Sequence, residues 1–155
     1  MKNLFLATGC YSNIPNYYLG GISVSCWHPK WYGNPIMMRS LAPHGFKNDE
    51  PPEYIPKYKS LLSKLDPHKI STEAKEKTYF KAKERGLSEE EADAITPILL
   101  CWETPNQFCH RHMISEWINK ETGIHVPEVK FRNGKLEVIE RKKKKKEEPN
   151  QLTLL

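Results

Sequence analysis

The residues best suited to chemistry fall in one stretch, Ile98-Leu99-Leu100-Cys101-Trp102-Glu103-Thr104-Pro105-Asn106-Gln107-Phe108-Cys109-His110-Arg111-His112. Glu103 can accept hydrogen bonds from a ribose or a base, or act as a general base. Cys109, placed near a helix start, gains a lowered pKa and becomes a candidate nucleophile. His110 is a proton donor or an orienting group. Arg111 offers a planar, permanently charged fork for phosphate or carboxylate. The unpaired N–H groups of a helix start also favour an anion. Arg and His there run against the helix dipole, so a ligand explains them better than a structural role does.

These side chains need a strand, a loop and a helix to hold them. Ile98 to Cys101 is a short, continuous apolar run bounded by Pro97 and by Glu103-Thr104-Pro105, the pattern of a buried strand. A helix is expected from about Phe108 to Glu121, stopping at Gly123. In open α/β sheets, ligands bind beyond the carboxyl ends of the strands. Two further strands, Asn3 to Thr8 and Ile22 to Cys26, would deliver Thr8-Gly9-Cys10-Tyr11-Ser12 and Cys26-Trp27-His28-Pro29-Lys30 to the same edge. Six prolines between Pro29 and Pro56 argue for a long loop of little regular structure, of the kind that forms binding surfaces. Tyr11, Trp27, Lys30, Trp31, Tyr32 and Trp102 are therefore the expected substrate contacts. Trp27, Trp31, Tyr32 or Trp102 would stack on a base.

The remaining elements alternate in a way that sets the fold class. Helices are expected over Glu53 to Leu65 and over Thr72 to Arg85, the latter capped by Ser71 and ended by Gly86. Ser88-Glu89-Glu90-Glu91 reads as a capping box that opens a third, short helix. Val126 to Phe131 and Leu136 to Ile139 flank Asn133-Gly134, a hairpin signal. The expectation is a single α/β layered domain over residues 1–139, with a small, largely parallel sheet flanked by helices and made mixed by the closing hairpin. A charged linker over 140–150 and a terminal peptide over 151–155 would follow.

Composition narrows the function. Of 24 basic and 19 acidic residues, six and three fall between Glu140 and Glu148, so that segment carries +3 of the +5 net charge. The folded part is nearly balanced. No apolar run approaches the roughly 18 residues of a membrane span. The apolar N-terminus is too short for a signal peptide. Four cysteines without a C-x-x-C pair, and no export signal, point to the cytoplasm and reduced thiols. A structural zinc site usually needs closely spaced ligand pairs, and Cys109-His110-Arg111-His112 lacks a second pair, so no metal and no cofactor is expected. There is no P-loop, no G-x-G-x-x-G and no motif for a Ser-His-Asp triad.

The blocks Leu100-Cys101-Trp102-Glu103 and Phe108-Cys109-His110-Arg111-His112, followed by Ser115-Glu116-Trp117-Ile118, resemble the C-terminal signature of the family called "domain of unknown function 488". Pro29-Lys30-Trp31-Tyr32, Leu41-Ala42-Pro43, Tyr58-Lys59 and Leu65-Asp66-Pro67 are similar to further blocks of its shorter members, so the resemblance covers about residues 3 to 130. The chain departs from the pattern at Thr8-Gly9-Cys10-Tyr11 and in extra residues between Leu65 and Ile98. The resemblance implies an α/β domain with a polar site, and supplies no reaction.

The last residues, Gln151-Leu152-Thr153-Leu154-Leu155, resemble the short peptide by which bacterial replication and repair proteins bind the DNA sliding clamp. Gln151 would hydrogen-bond at a pocket rim, and Leu152, Leu154 and Leu155 would enter an apolar groove. Lys142 to Lys146 would touch threaded DNA or serve as a soluble spacer. The expected function is processing of a nucleotide or nucleic acid, linked to replication or repair through the clamp. The alternatives are a non-catalytic DNA- or clamp-binding regulator, and a thiol or metal protein built on the four cysteines.

Overall fold

The computed structural model describes residues 4–140. The strands β1 (Ala7–Cys10), β2 (Gly21–Ser23), β3 (Ile36–Met37), β4 (Ile98–Cys101), β5 (Glu128–Arg132) and β6 (Lys135–Ile139) form one sheet in the order β3-β2-β4-β1-β5-β6. All neighbours run parallel except β5 and β6. The expected α/β class, with a largely parallel sheet made mixed by the hairpin, is what the chain adopts. Asn133 and Gly134 both have positive φ, 53° and 77°, the backbone that a two-residue hairpin turn requires.

Four helices complete the fold: α1 (Pro51–Ser63), α2 (Pro67–Glu84), α3 (Glu89–Asp93) and α4 (His110–Thr122). Two start earlier than expected, because prolines open them. Pro51 and Pro52 fill the first turn of α1, where the missing N–H groups have no intrahelical partner to lose. Pro56 consequently lies inside the helix rather than in its first turn. In α2 the cap is Asp66, whose carboxylate accepts from the His68 and Lys69 N–H groups; Ser71 lies inside the helix and bonds back to the Pro67 carbonyl. The capping box at Ser88 and Glu91 forms as expected. The segment expected to be irregular holds an edge strand, β3, and two 3-10 turns over Lys30–Tyr32 and Arg39–Leu41.

Strand alternation divides the core. Leu6, Ile22, Val24 and Leu99 meet α1, α2 and α4 through Tyr58, Leu62, Ala74, Ile114 and Ile118. Ala7, Ile98, Leu100 and Val129 face the other way, onto Tyr11, Ile14 and Tyr32 from non-helical chain. On β4 this period of two puts Cys101 on the same face as Leu99, the face that α4 covers. Close chain approach at the sheet's start is set by Gly20, where a Cβ would lie 2.4 Å from the Thr96 carbonyl oxygen.

Candidate functional site

The carboxyl end of β4 and the first residues of α4 meet on the helix-covered face. Cys109 is the N-cap of α4 and makes no side-chain capping bond, and α4 has no acidic residue in its first turn. His110 opens the helix with its ring between two sulfurs. Its Nδ1 lies 3.6 Å from Cys101 Sγ and 4.0 Å from Cys109 Sγ. Its Nε2 lies 2.7 Å from the carbonyl oxygen of Val24, just past β2. A carbonyl can only accept, so Nε2 carries the proton of that bond. Cys101 Sγ also lies 3.9 Å from Nε2, so this sulfur sits beside the ring, nearly equidistant from its two nitrogens. Tyr58 packs edge-on against the same ring at 5.2 Å.

Glu103 lies two residues beyond the strand, with Oε1 3.6 Å from Cys101 Sγ. Burial, then the neighbouring Cys109, pushes its carboxyl above the usual range. Burial also opposes ionisation of Cys109, but hydrogen bonds from Cys101 and His110, with the charge of Arg111 behind them, hold its thiol well below the ordinary value. The same shared hydrogen bond, with burial, pushes the Cys101 thiol well above it. The two thiols are thus driven in opposite directions, Cys109 toward easier ionisation and Cys101 away from it.

This cluster forms the floor of a cleft of about 370 Å³. Trp27, Lys47, Tyr54, Trp102 and Phe108 stand around it. Trp27 is 68% exposed, Trp102 50% and Phe108 40%, so three large aromatic residues are solvent-exposed around one opening. The indole N–H of Trp102 donates to the Trp27 carbonyl at 2.7 Å and joins the loops after β2 and β4. A larger groove of about 790 Å³ runs between α1 and α4 and shares Phe108 and Cys109 with the cleft.

The structure brings Glu103, Cys109 and His110 together, with Trp27 and Trp102 beside them, but it places Arg111 elsewhere. The Arg111 guanidinium is fully buried. Its Nε and Nη2 donate to the two carboxylate oxygens of Glu128, at 3.1 and 2.8 Å. Thr8 donates to the same carboxylate at 2.7 Å. Residues along a helix turn by about 100° per position, so Arg111 points under β1 and β5 while His110 points to the cleft. Arg111 is therefore a buried ion-pair partner and not a phosphate fork. Its Nη1 has no hydrogen-bond partner among the described residues.

The other expected contacts also divide. Tyr11 and Tyr32 are buried and lie outside the cleft, and Tyr11 borders another groove. The Tyr11 hydroxyl bridges Ser23 and Ser25 at 2.6 and 2.7 Å, its ring meets Trp102 edge-on, and burial pushes its pKa up to about 12. Tyr32 donates to the Pro15 carbonyl. Trp31 is exposed on another groove, with Tyr17 and Phe131, and Lys30 lies on the turn beside it, outside the cleft. Gln151, Leu152, Thr153, Leu154 and Leu155, with Lys142 to Lys146, lie outside the described residues.

Sequence reasoning missed Cys101 as a member of the site and Glu128 as the partner of Arg111. An arginine set against a helix dipole needs a nearby carboxylate, and Glu128, an acid in the apolar run Val126-Pro127-Glu128-Val129, was the available signal. Cys101 supplies what the stretch after it lacks. The ligand atoms of Cys101, Cys109 and His110 all lie within 4.8 Å of one another, although the two cysteines are eight positions apart. Comparison of the chain with protein-family models, with curated proteins and with solved structures finds no match, so the resemblance of its motifs stands on those motifs alone.

Proposed function

We propose that the cleft is the active site of an enzyme that processes a nucleotide or a nucleic-acid base. Aromatic rings around the opening hold the base, and Glu103 takes or returns the proton. The observation that carries this reading is the combination of three exposed rings, Trp27, Trp102 and Phe108, with the exposed carboxylate of Glu103 at a strand-end cleft. Solvent-facing aromatic surface gathered at one mouth gains free energy when a flat ligand covers it, about 1–3 kcal/mol per stacked base. Lys47 at the rim supplies a cation for a phosphate, the part that Arg111 does not play.

The test is a tryptophan-fluorescence titration with nucleotides and short single-stranded DNA, followed by a turnover screen on whatever binds. Trp27→Ala and Trp102→Ala should weaken binding, and Glu103→Gln should bind yet not turn over. If none of these ligands binds the wild-type protein, or if the three variants bind and react as it does, the reading is lost.

The clamp connection is part of the same proposal and is supported by the sequence of the terminal peptide. A pull-down with the sliding clamp, using the full chain and a chain ending at Asn150, should show capture that the truncation removes. Capture with no turnover by the cleft would favour the non-catalytic regulator.

A further inference from the structure

We propose that Cys101 Sγ, Cys109 Sγ and His110 Nδ1 bind a zinc ion in the floor of the cleft, with Glu103 beside the fourth coordination position. This deepens the reading of the cleft as an active site, and rests on it only for the purpose of the metal, not for its binding.

The argument begins with distances. Zinc–sulfur bonds of about 2.3 Å and zinc–nitrogen bonds of about 2.05 Å, at tetrahedral angles, separate sulfur from nitrogen by about 3.6 Å. The two observed separations between His110 Nδ1 and the sulfurs are 3.6 and 4.0 Å. All three ligand atoms fall within 4.8 Å of one another, and a turn of the His110 ring that aims Nδ1 at Cys101 Sγ, now 3.9 Å from Nε2 as well, completes the set.

The donor chemistry agrees. Two thiolates and an imidazole are the ligand types that favour zinc over calcium or magnesium, and two thiolates neutralise its charge. The surroundings of His110 are those of a ligand: its Nε2 is held by the Val24 carbonyl at 2.7 Å, which leaves Nδ1 as the nitrogen for a metal. Tyr58 holds the ring from the side. The start of α4 brings the pair Cys109-His110, and the fold adds the third ligand from the end of β4.

Three protein ligands and an accessible fourth position describe a catalytic site rather than a closed structural one. The cleft provides the path of entry. Glu103 Oε1, 3.6 Å from Cys101 Sγ, is placed to accept a proton from a water in that position.

The experiment uses the full chain, purified without chelator, and measures metal by elemental analysis and by titration against a zinc-binding dye. About one equivalent of zinc per chain is expected. Replacing zinc with cobalt(II) should produce the near-ultraviolet charge-transfer absorption of thiolate ligation and the visible bands of a four-coordinate ion. Cys101→Ser and Cys109→Ser should each lower zinc affinity by more than about 100-fold, beyond what loss of an outer-shell contact costs. Cys10→Ser, which alters a thiol bonded to Ser12 instead, should leave it unchanged. Zinc should also protect Cys101 and Cys109 of the wild-type chain from alkylation, a readout that does not depend on a variant folding. Binding below a tenth of an equivalent after zinc is supplied, cobalt spectra without thiolate bands, or equal alkylation with and without zinc would overturn the proposal. Zinc-free protein that still binds nucleotides would overturn only the metal. Zinc-loaded protein that binds no nucleotide or DNA would overturn only the reading of the substrate.

Discussion

Two polar clusters share the first turn of α4, and they are built on opposite principles. Arg111, Glu128 and Thr8 form a closed set: a two-point ion pair, a hydroxyl donating to the same carboxylate, and no exposure at the guanidinium. Cys101, Cys109, His110 and Glu103 form an open set. Their contacts are weak sulfur contacts of 3.6 to 4.0 Å, and they face a cleft. The first cluster turns its hydrogen bonds inward, although Arg111 Nη1 has no partner among the described residues. The second gathers three donor atoms within 4.8 Å of one another, as a ligand site must. Adjacent residues of one helix thus serve different ends because each projects to a different side of the sheet.

Breaking the closed set should give the largest effect. Glu128→Ala leaves Arg111 charged, buried and unpaired, and should lower unfolding free energy by about 3–5 kcal/mol in urea titrations. The double replacement Arg111→Met with Glu128→Leu should recover most of that loss, because the uncompensated charge is gone. If the single variant is as stable as the parent, the two clusters do not differ as described. A smaller loss is expected on the opposite face of the sheet. Tyr11→Phe removes the hydroxyl that bridges Ser23 and Ser25, at about 1 kcal/mol in the same assay. The open set should tolerate change best. Trp27→Ala should move stability by less than about 0.5 kcal/mol, since the ring is mostly solvated, while ligand titration shows weakened binding. Glu103→Gln should likewise leave the unfolding curve within that margin and abolish turnover.

The parts of this molecule that were legible in the sequence are those set by local chemistry. Asn133-Gly134 and the apolar run from Ile98 to Cys101 declared a hairpin and a buried strand, and both formed. Ser88 and Glu91 named their own helix start. Local pattern also brought Glu103, Cys109 and His110 into one proposed site. The misreadings arose where distant chain decides. Arg111 looked like a ligand group because its partner lies 17 positions away on β5. Tyr11 and Tyr32 looked like surface aromatics, since nothing local shows that loops rather than helices cover their side of the sheet. Cys101 read as the end of an apolar strand, and its nearness to His110 depends on the angle at which α4 returns over β4. β3, only two residues long, has no periodicity to detect.

The bond from the Trp102 indole to the Trp27 carbonyl bears on how any guest is received. It rivets together two stretches of chain that would otherwise sway independently, so the width of the mouth is inherited from the spacing of β2 and β4 beneath it. A guest of matching thickness meets a vestibule already cut to size, and a bulkier one must first draw that rivet.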